Sequence, residues 1–191
     1  MRQMGLQTKG RRRFKTTTRR DETHRRAPNV LAGDFTARQP NEKWLSDITY
    51  IPTCESWLYL AGIQDMFSRR IVGWSMSERP TRTLICDAWK MAVGQCGVPR
   101  LNHSDQGSQY TSDDDLRLLE KDQVVLSMSD LGRCYDNAMQ ESFWGTLKTK
   151  CADRPFPSRA AARKAIFEYI EVWYNRQRRH SALGYLQPLC L

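Results

Sequence analysis

WLSDITYIPT, residues 44–53, carries a carboxylate in the middle of a strand. Trp44, Leu45, Ile48, Tyr50 and Ile51 are the aromatic and branched types that fill pleated, half-buried surfaces. Asp47 among them is disfavoured in a strand and costly to bury without a partner. Moving outward, 57–65 and 70–76 read as two further strands, and the short connections make the three an antiparallel meander. Helical spacing of Leu84, Ala88 and Met91-Ala92 predicts a helix over 81–96, with Thr81 at its N-cap. A short strand is expected at 101–105 and another at 124–126. Helices are expected over 112–121, with acids 113–115 in the first turn, from 136 to about 150, and from 158 to about 177. The last is amphipathic, through Ala162, Ala165-Ile166, Tyr169-Ile170 and Trp173. This order predicts an α/β fold: a five-stranded mixed sheet with helices on both faces.

The chain has 191 residues and 40% hydrophobic residues, enough for one packed domain with tails. No apolar run approaches the roughly 18–20 residues needed to cross a bilayer. No apolar stretch follows the basic N-terminus, so it does not read as a secretory signal. The six cysteines form no CxxC pair, which argues against a zinc site and for reduced structural thiols. Charge is distributed unevenly. Residues 1–26 hold ten Lys/Arg against two acids, and residues 154–191 hold seven against two. The body between them has thirteen against seventeen. Basic ends around an acidic centre suit a protein that grips a polyanion while keeping carboxylates at the middle. Solvated basic tails on a soluble protein would look the same. Residues 1–27 read as a basic arm, 28–40 as a linker, and 41–191 as the globular domain with its C-terminal amphipathic helix.

Most of the acids have ordinary explanations. Asp65 ends the second strand and closes a turn, and Asp136 stands where an N-cap belongs. Asp105 is different. It closes a strand and precedes Gln106-Gly107-Ser108, at the carboxyl end where open α/β sheets carry their chemistry. Glu141 lies in a helix whose register puts Gly145 and Lys148 on its own face. Three carboxylates converging from two strands and a helix repel one another, and cations relieve that repulsion. Hard oxygen ligands suit Mg²⁺ or Mn²⁺. Two such ions activate an attacking oxygen and stabilise a leaving oxygen in phosphoryl transfer.

WLSDITYIPT at 44–53, HSDQGSQYTS at 103–112, YDNAMQESFWGTLKT at 135–149 and YIEVWYNRQRRHSALGYLQP at 169–188 together resemble the two-reading-frame (IS-three) group of insertion-sequence transposases. That group lies within the DDE superfamily, which includes the retroviral integrases. Thirty-five residues separate Asp105 from Glu141, the spacing characteristic of the group. The resemblance implies a ribonuclease-H-like fold with Asp47 and Asp105 on adjacent strands and Glu141 on a following helix. It implies DNA as substrate and two Mg²⁺ or Mn²⁺ ions, with Asp47 touching both and Asp105 and Glu141 each completing one. The implied reaction is strand cleavage by water, then attack of the freed 3′-OH on a second phosphodiester. Also implied are assembly of a homo-oligomer on DNA, a partner protein from the upstream reading frame for DNA recognition, and a cytoplasmic, nucleoid-associated location. Lys148 matches the basic residue the family places seven after the Glu, where it contacts DNA.

Gln106, Asn137, Arg176, Arg178, Arg179 and His180 are further candidate DNA contacts. Each also has a plain structural role open to it, in a turn, a helix cap or a helix C-terminus. Two departures from the group stand out. The approach GVPRLNHSD is one or two residues short, which would shift Asp105 relative to Asp47, and Lys150 stands where the group often has Glu. Met1 to Leu6 resembles the tail of the helix-turn-helix region that precedes this domain in the group, and the rest of that module is not in this sequence. Two other readings stay open: a non-catalytic DNA-binding remnant, and a structure-selective nuclease on the same fold.

Overall fold

The computed structural model describes residues 27–105, 122–130 and 137–190. The basic arm, Gln106, the helix expected over 112–121 and Asp136 lie outside the described residues. The strands are β1 (Lys43–Thr53), β2 (Ser56–Asp65), β3 (Ile71–Ser77), β4 (Leu101–Ser104) and β5 (Val125–Met128). They form one sheet in the order β3-β2-β1-β4-β5. β1 pairs antiparallel with β2 and parallel with β4, β2 pairs antiparallel with β3, and β4 pairs parallel with β5. The expected mixed five-stranded sheet is therefore present. The helices are α1 (Arg82–Cys96), α2 (Ala138–Lys150) and α3 (Arg159–Phe167).

Strand alternation divides the core into two layers. Leu58, Leu60 and Ile51 face Phe143, Leu147, Ala162 and Ile166 of α2 and α3. Ala61, Ile63 and Trp44 face Leu84, Ala88, Trp89 and Ala92 of α1. β2 is covered on both sides, so its sequence is almost continuously apolar rather than alternating. The α1 layer depends on close approach. A Cβ built on Gly73 of β3 would lie 2.3 Å from the Ala88 carbonyl oxygen and 2.6 Å from Ala92 Cβ. Backbone and methyl cannot rotate aside as a flexible side chain does. Gly73→Ala is therefore expected to lower stability by about 2–3 kcal/mol, as overpacking typically does, read as a lower urea midpoint. Ser75→Ala on the same strand, the control, should leave the midpoint nearly unchanged.

Asp65 closes its turn as expected. It is fully buried, and its Oδ2 accepts from the amide and hydroxyl of Ser68 at 2.8 and 2.7 Å, while Oδ1 accepts from the Asn41 amide. Thr81 does stand at the N-cap position of α1, but its side chain makes no capping bond. The last helix departs from expectation. It is α-helical only to Phe167, and Glu168–Tyr174 is wound as a π-helix. The extra residue per turn brings Tyr174 inward, 1% exposed, and leaves Trp173 half-buried. The anchor is the following residue. The Asn175 side chain accepts from the Ile71 amide and donates to the Ile71 carbonyl, both at 3.0 Å, so it satisfies both backbone groups of a β3 residue. Winding wide is what sets Asn175 against the strand.

Candidate active site

β4 runs parallel to β1 with Ser46 opposite Ser104, so Asp47 and Asp105 each follow the last paired position on neighbouring strands. The short approach to Asp105 does not offset it, because the Arg100 and Leu101 amides bond to the Asn41 and Glu42 carbonyls and fix the start of β4. The two carboxylates act on each other. Burial first, and then the charge of Asp105, push the Asp47 carboxyl up to about 7. Hydrogen bonds offset part of that shift. Asp47 Oδ1 accepts from the Ile48 amide at 2.7 Å, Oδ2 accepts from Trp144 Nε1 at 2.9 Å, and Asn137 adds a smaller contribution.

Trp144 comes from α2, whose residues advance about 100° around the axis. Gln140, Phe143, Trp144 and Leu147 are buried against the sheet. Gln140 Nε2 donates to the Gly62 carbonyl at 2.8 Å, and Gly62 is the residue opposite Asp47 on β2. A Cβ on Gly62 would lie 2.7 Å from Trp144 Cη2, so the indole rests where a side chain would otherwise be. Glu141 and Lys148 share the flank of α2 next to Trp144. Glu141 is exposed in the first turn. Lys148 is half-buried, and burial holds its ammonium below the usual lysine range, opposed by the Asp47 charge. Its Nζ sits 5.3 Å from the centroid of the Tyr50 ring. Tyr50 and Trp57, 44% and 47% exposed, meet edge to face at 5.3 Å beside it.

Asp105, Asn137 and Lys148 each interact with Asp47. Glu141 faces the same side of α2. Among the described residues no three His, Cys, Asp or Glu side chains stand close enough to hold a metal ion. Asn137 precedes α2 without capping it. Arg176 and Arg179 are exposed, whereas Arg178 and His180 turn partly inward. Gln106 lies outside the described residues. Sequence reasoning passed over Gly62, Gln140 and Trp144. The signal available was the spacing of Gln140, Trp144 and Leu147, which marks the sheet-facing side of the helix that carries Glu141.

The donor set fits a hard divalent cation. Two carboxylates repel each other, and the hard oxygens of Asp47 meet only N–H donors among the described residues, from Ile48, Trp144 and Asn137, with no sulfur or imidazole beside them.

A mixed sheet of this order, with helices on both faces and two aspartates that each follow the last paired position of its central parallel strands, defines a ribonuclease-H-like core. The solved structures agree. The catalytic core of the HTLV-2 integrase in complex with magnesium, in its trimeric form, superposes with a TM-score of 0.59 at 17% identity, over 79% of this chain and 95% of that one. The simian T-cell lymphotropic virus intasome, in complex with the PP2A regulatory subunit B56 gamma, gives 0.62 at 19%, over 80% of this chain and 55% of that one. Sequence comparison is more specific. Residues 37–134 and 122–188 match two models that are each described as an integrase core domain. The chain belongs to the integrase core domain family, and its relatives are insertion-sequence proteins. It is 45% identical over 191 residues to the transposase InsF for insertion sequence IS3A of Escherichia coli K12, covering 98% of this chain and 66% of that protein. It is 44% identical over 189 residues to the insertion element IS600 uncharacterized 31 kDa protein of Shigella sonnei, covering 97% of this chain and 70% of that protein. The chain spans about two thirds of the length of these relatives.

Proposed function

We propose that this chain is the catalytic part of a DNA transposase, cleaving a strand at an element end and joining the freed 3′-OH to a second phosphodiester. The observation that carries the reading is the pairing of Asp47 and Asp105 at matched positions on neighbouring parallel strands, with Asp47 pushed up to about 7. Asp47 and Asp105 would hold divalent cations, with Glu141 completing the set from α2. Mg²⁺ or Mn²⁺ bound there supplies charge neutralisation for the attacking and leaving oxygens. The rest is done by the chain's own residues. Trp144 and the Ile48 amide fix the orientation of the Asp47 carboxylate. Lys148, drawn toward Asp47 and held over Tyr50, is placed to meet a phosphate of the DNA strand. Exposed Arg176 and Arg179 are further candidate phosphate contacts, and Asn137 and Gln106 flank the site in the sequence. Assembly of several copies on DNA, and DNA recognition supplied by an upstream-frame protein, belong to the same reading.

The test is an assay of oligonucleotides that carry the inverted repeats flanking the element, with Mg²⁺ or Mn²⁺. Nicking followed by joining is the expected result. Hydrolysis without joining would point to a nuclease. Binding with steep salt dependence and no chemistry would point to a DNA-binding remnant. Lys148→Ala is expected to weaken DNA binding about three- to tenfold and to reduce the slope of log affinity against log salt by roughly one, the signature of one lost phosphate contact. An unchanged slope would remove Lys148 from the interface.

A further inference from the structure

α2 has a third flank. Met139 and Ser142, turned around the axis from Glu141 and Lys148, line a cavity of about 330 Å³ together with Ala138. Its other walls include Gln64 at the end of β2, Arg69 in the turn before β3, and Tyr174, Arg178 and His180 from the C-terminal segment. Among the described residues no acid lines it. Four of its residues each carry a buried polar atom without a protein hydrogen-bond partner: Gln64 Oε1, Arg69 Nε, Arg178 Nη1 and His180 Nδ1. Gln64 is itself only 1% exposed. Such atoms are uncommon in native folds, and each is costly unless something answers it.

The cationic groups are held in place rather than left to roam. The Arg178 guanidinium lies over the rings of Trp173 and Tyr174, 5.8 and 5.3 Å from their centroids. Arg69 has φ +62, a left-handed backbone that a non-glycine residue adopts at a cost. It is kept there by its amide bonding to the Asp65 carbonyl and its carbonyl accepting from Gln64 Nε2, both at 2.9 Å. Burial, then Arg178 and Arg69, hold the His180 imidazole below its ordinary range. Among the described residues the charged groups acting on it are these two arginines, and Tyr174 and Asp65 act in turn on Arg69.

We infer that this cavity is a binding site for a phosphate-class oxyanion, held by Arg69, Arg178 and His180 on the third flank of α2. Arg69 Nε and Arg178 Nη1 donate to its oxygens, and His180 donates through Nδ1. Gln64 Oε1 is the acceptor among these four buried atoms, matched by the P–OH of inorganic phosphate or a terminal phosphate monoester, which an internal phosphodiester lacks. The inference does not rest on strand cleavage by Asp47, Asp105 and Glu141, because the two sites lie on different flanks of one helix.

The test is the NMR titration of the His180 ring, identified by loss of its signal in His180→Gln. Inorganic phosphate, a 5′-phosphorylated oligonucleotide and its unphosphorylated counterpart serve as separate probes. Phosphate in the cavity is expected to raise the His180 titration midpoint, because an anion cancels the repulsion from the arginines. Ser142→Glu sets an acid on an exposed helix position at the rim without removing any packed group, and it should weaken the response about tenfold with an unchanged melting temperature. A response to inorganic phosphate alone assigns the site to a free phosphate. A response to the phosphorylated oligonucleotide and not to its unphosphorylated counterpart assigns it to a strand end, and an equal response to both overturns the pairing of Gln64 Oε1 with a P–OH. A midpoint unmoved by all three probes overturns the inference, as does an equal response in Ser142→Glu.

Discussion

Asp47→Asn is expected to abolish strand cleavage and joining and, in the same protein, to raise the melting temperature measured at pH 8 in chelator. Both effects have one origin. In the folded chain the Asp47 carboxyl is pushed up to about 7 by burial and by Asp105, whereas in the unfolded chain it loses its proton near 4. Ionising it therefore opposes folding. The penalty is absent below about pH 4, grows as the unfolded form alone gives up its proton, and is complete above about 7. Asparagine keeps the shape and the bonds to Ile48 and Trp144 in part and never ionises. The stabilisation should thus grow between pH 4 and 7 and level off at about 2–3 kcal/mol. Activity should move the other way, by about 10³-fold or more, since several kcal/mol of charge stabilisation are lost and each 1.4 kcal/mol is tenfold. Asp105→Asn should show the same pair of effects with a smaller gain in stability. Glu141→Gln, on an exposed flank, should lose activity with its melting temperature unchanged. Joining activity retained by Asp47→Asn, or a lower melting temperature at pH 8, would sink the assignment.

Much of this was readable in the chain. Asp47 stood out because a carboxylate inside an apolar strand has few ordinary explanations. Asp105 stood out because a strand end before a Gln-Gly turn is where α/β sheets place chemistry. Their adjacency follows from the parallel pairing of β1 and β4, which the order of elements implies once the first three strands form a meander. Local spacing does not reveal what depends on distant partners. The π-helix at Glu168–Tyr174 arises because Asn175 meets the backbone of Ile71, about a hundred residues earlier. A period-3.6 reading of that segment therefore puts Trp173 where Tyr174 belongs. Arg178 and His180 look like surface cations in the sequence, yet stacking on Trp173 and Tyr174 turns Arg178 toward a cavity. Glycine 62 gave no signal at all. It reads as a weak point in a strand, and its reason is an indole that arrives from eighty residues downstream.

That glycine sets up the second large effect. Gly62→Ala is expected to cost about 10²-fold in strand-transfer rate and about 1–3 kcal/mol in stability, although residue 62 carries no functional group. The added methyl would sit 2.7 Å from Trp144 Cη2 and 3.4 Å from Gln140 Nε2. Both side chains anchor α2 to the sheet, through Asp47 Oδ2 and the Gly62 carbonyl. Relief requires the indole, or the whole first half of the helix, to lift off β2. Either movement lengthens the Trp144–Asp47 bond and carries Glu141 and Lys148 away from the aspartates. Misplacement of about 1 Å is enough for a loss of this size, and overpacking accounts for the stability term. The rate and the stability separate in the double variant Gly62→Ala/Trp144→Phe. The smaller ring makes room for the methyl, so stability should recover toward that of Trp144→Phe alone, a coupling readable as a double-mutant cycle. Activity should not recover fully, because phenylalanine has no N–H to hold the Asp47 carboxylate. Additive stability effects would mean that the methyl is accommodated elsewhere and that α2 does not position the site through Gly62.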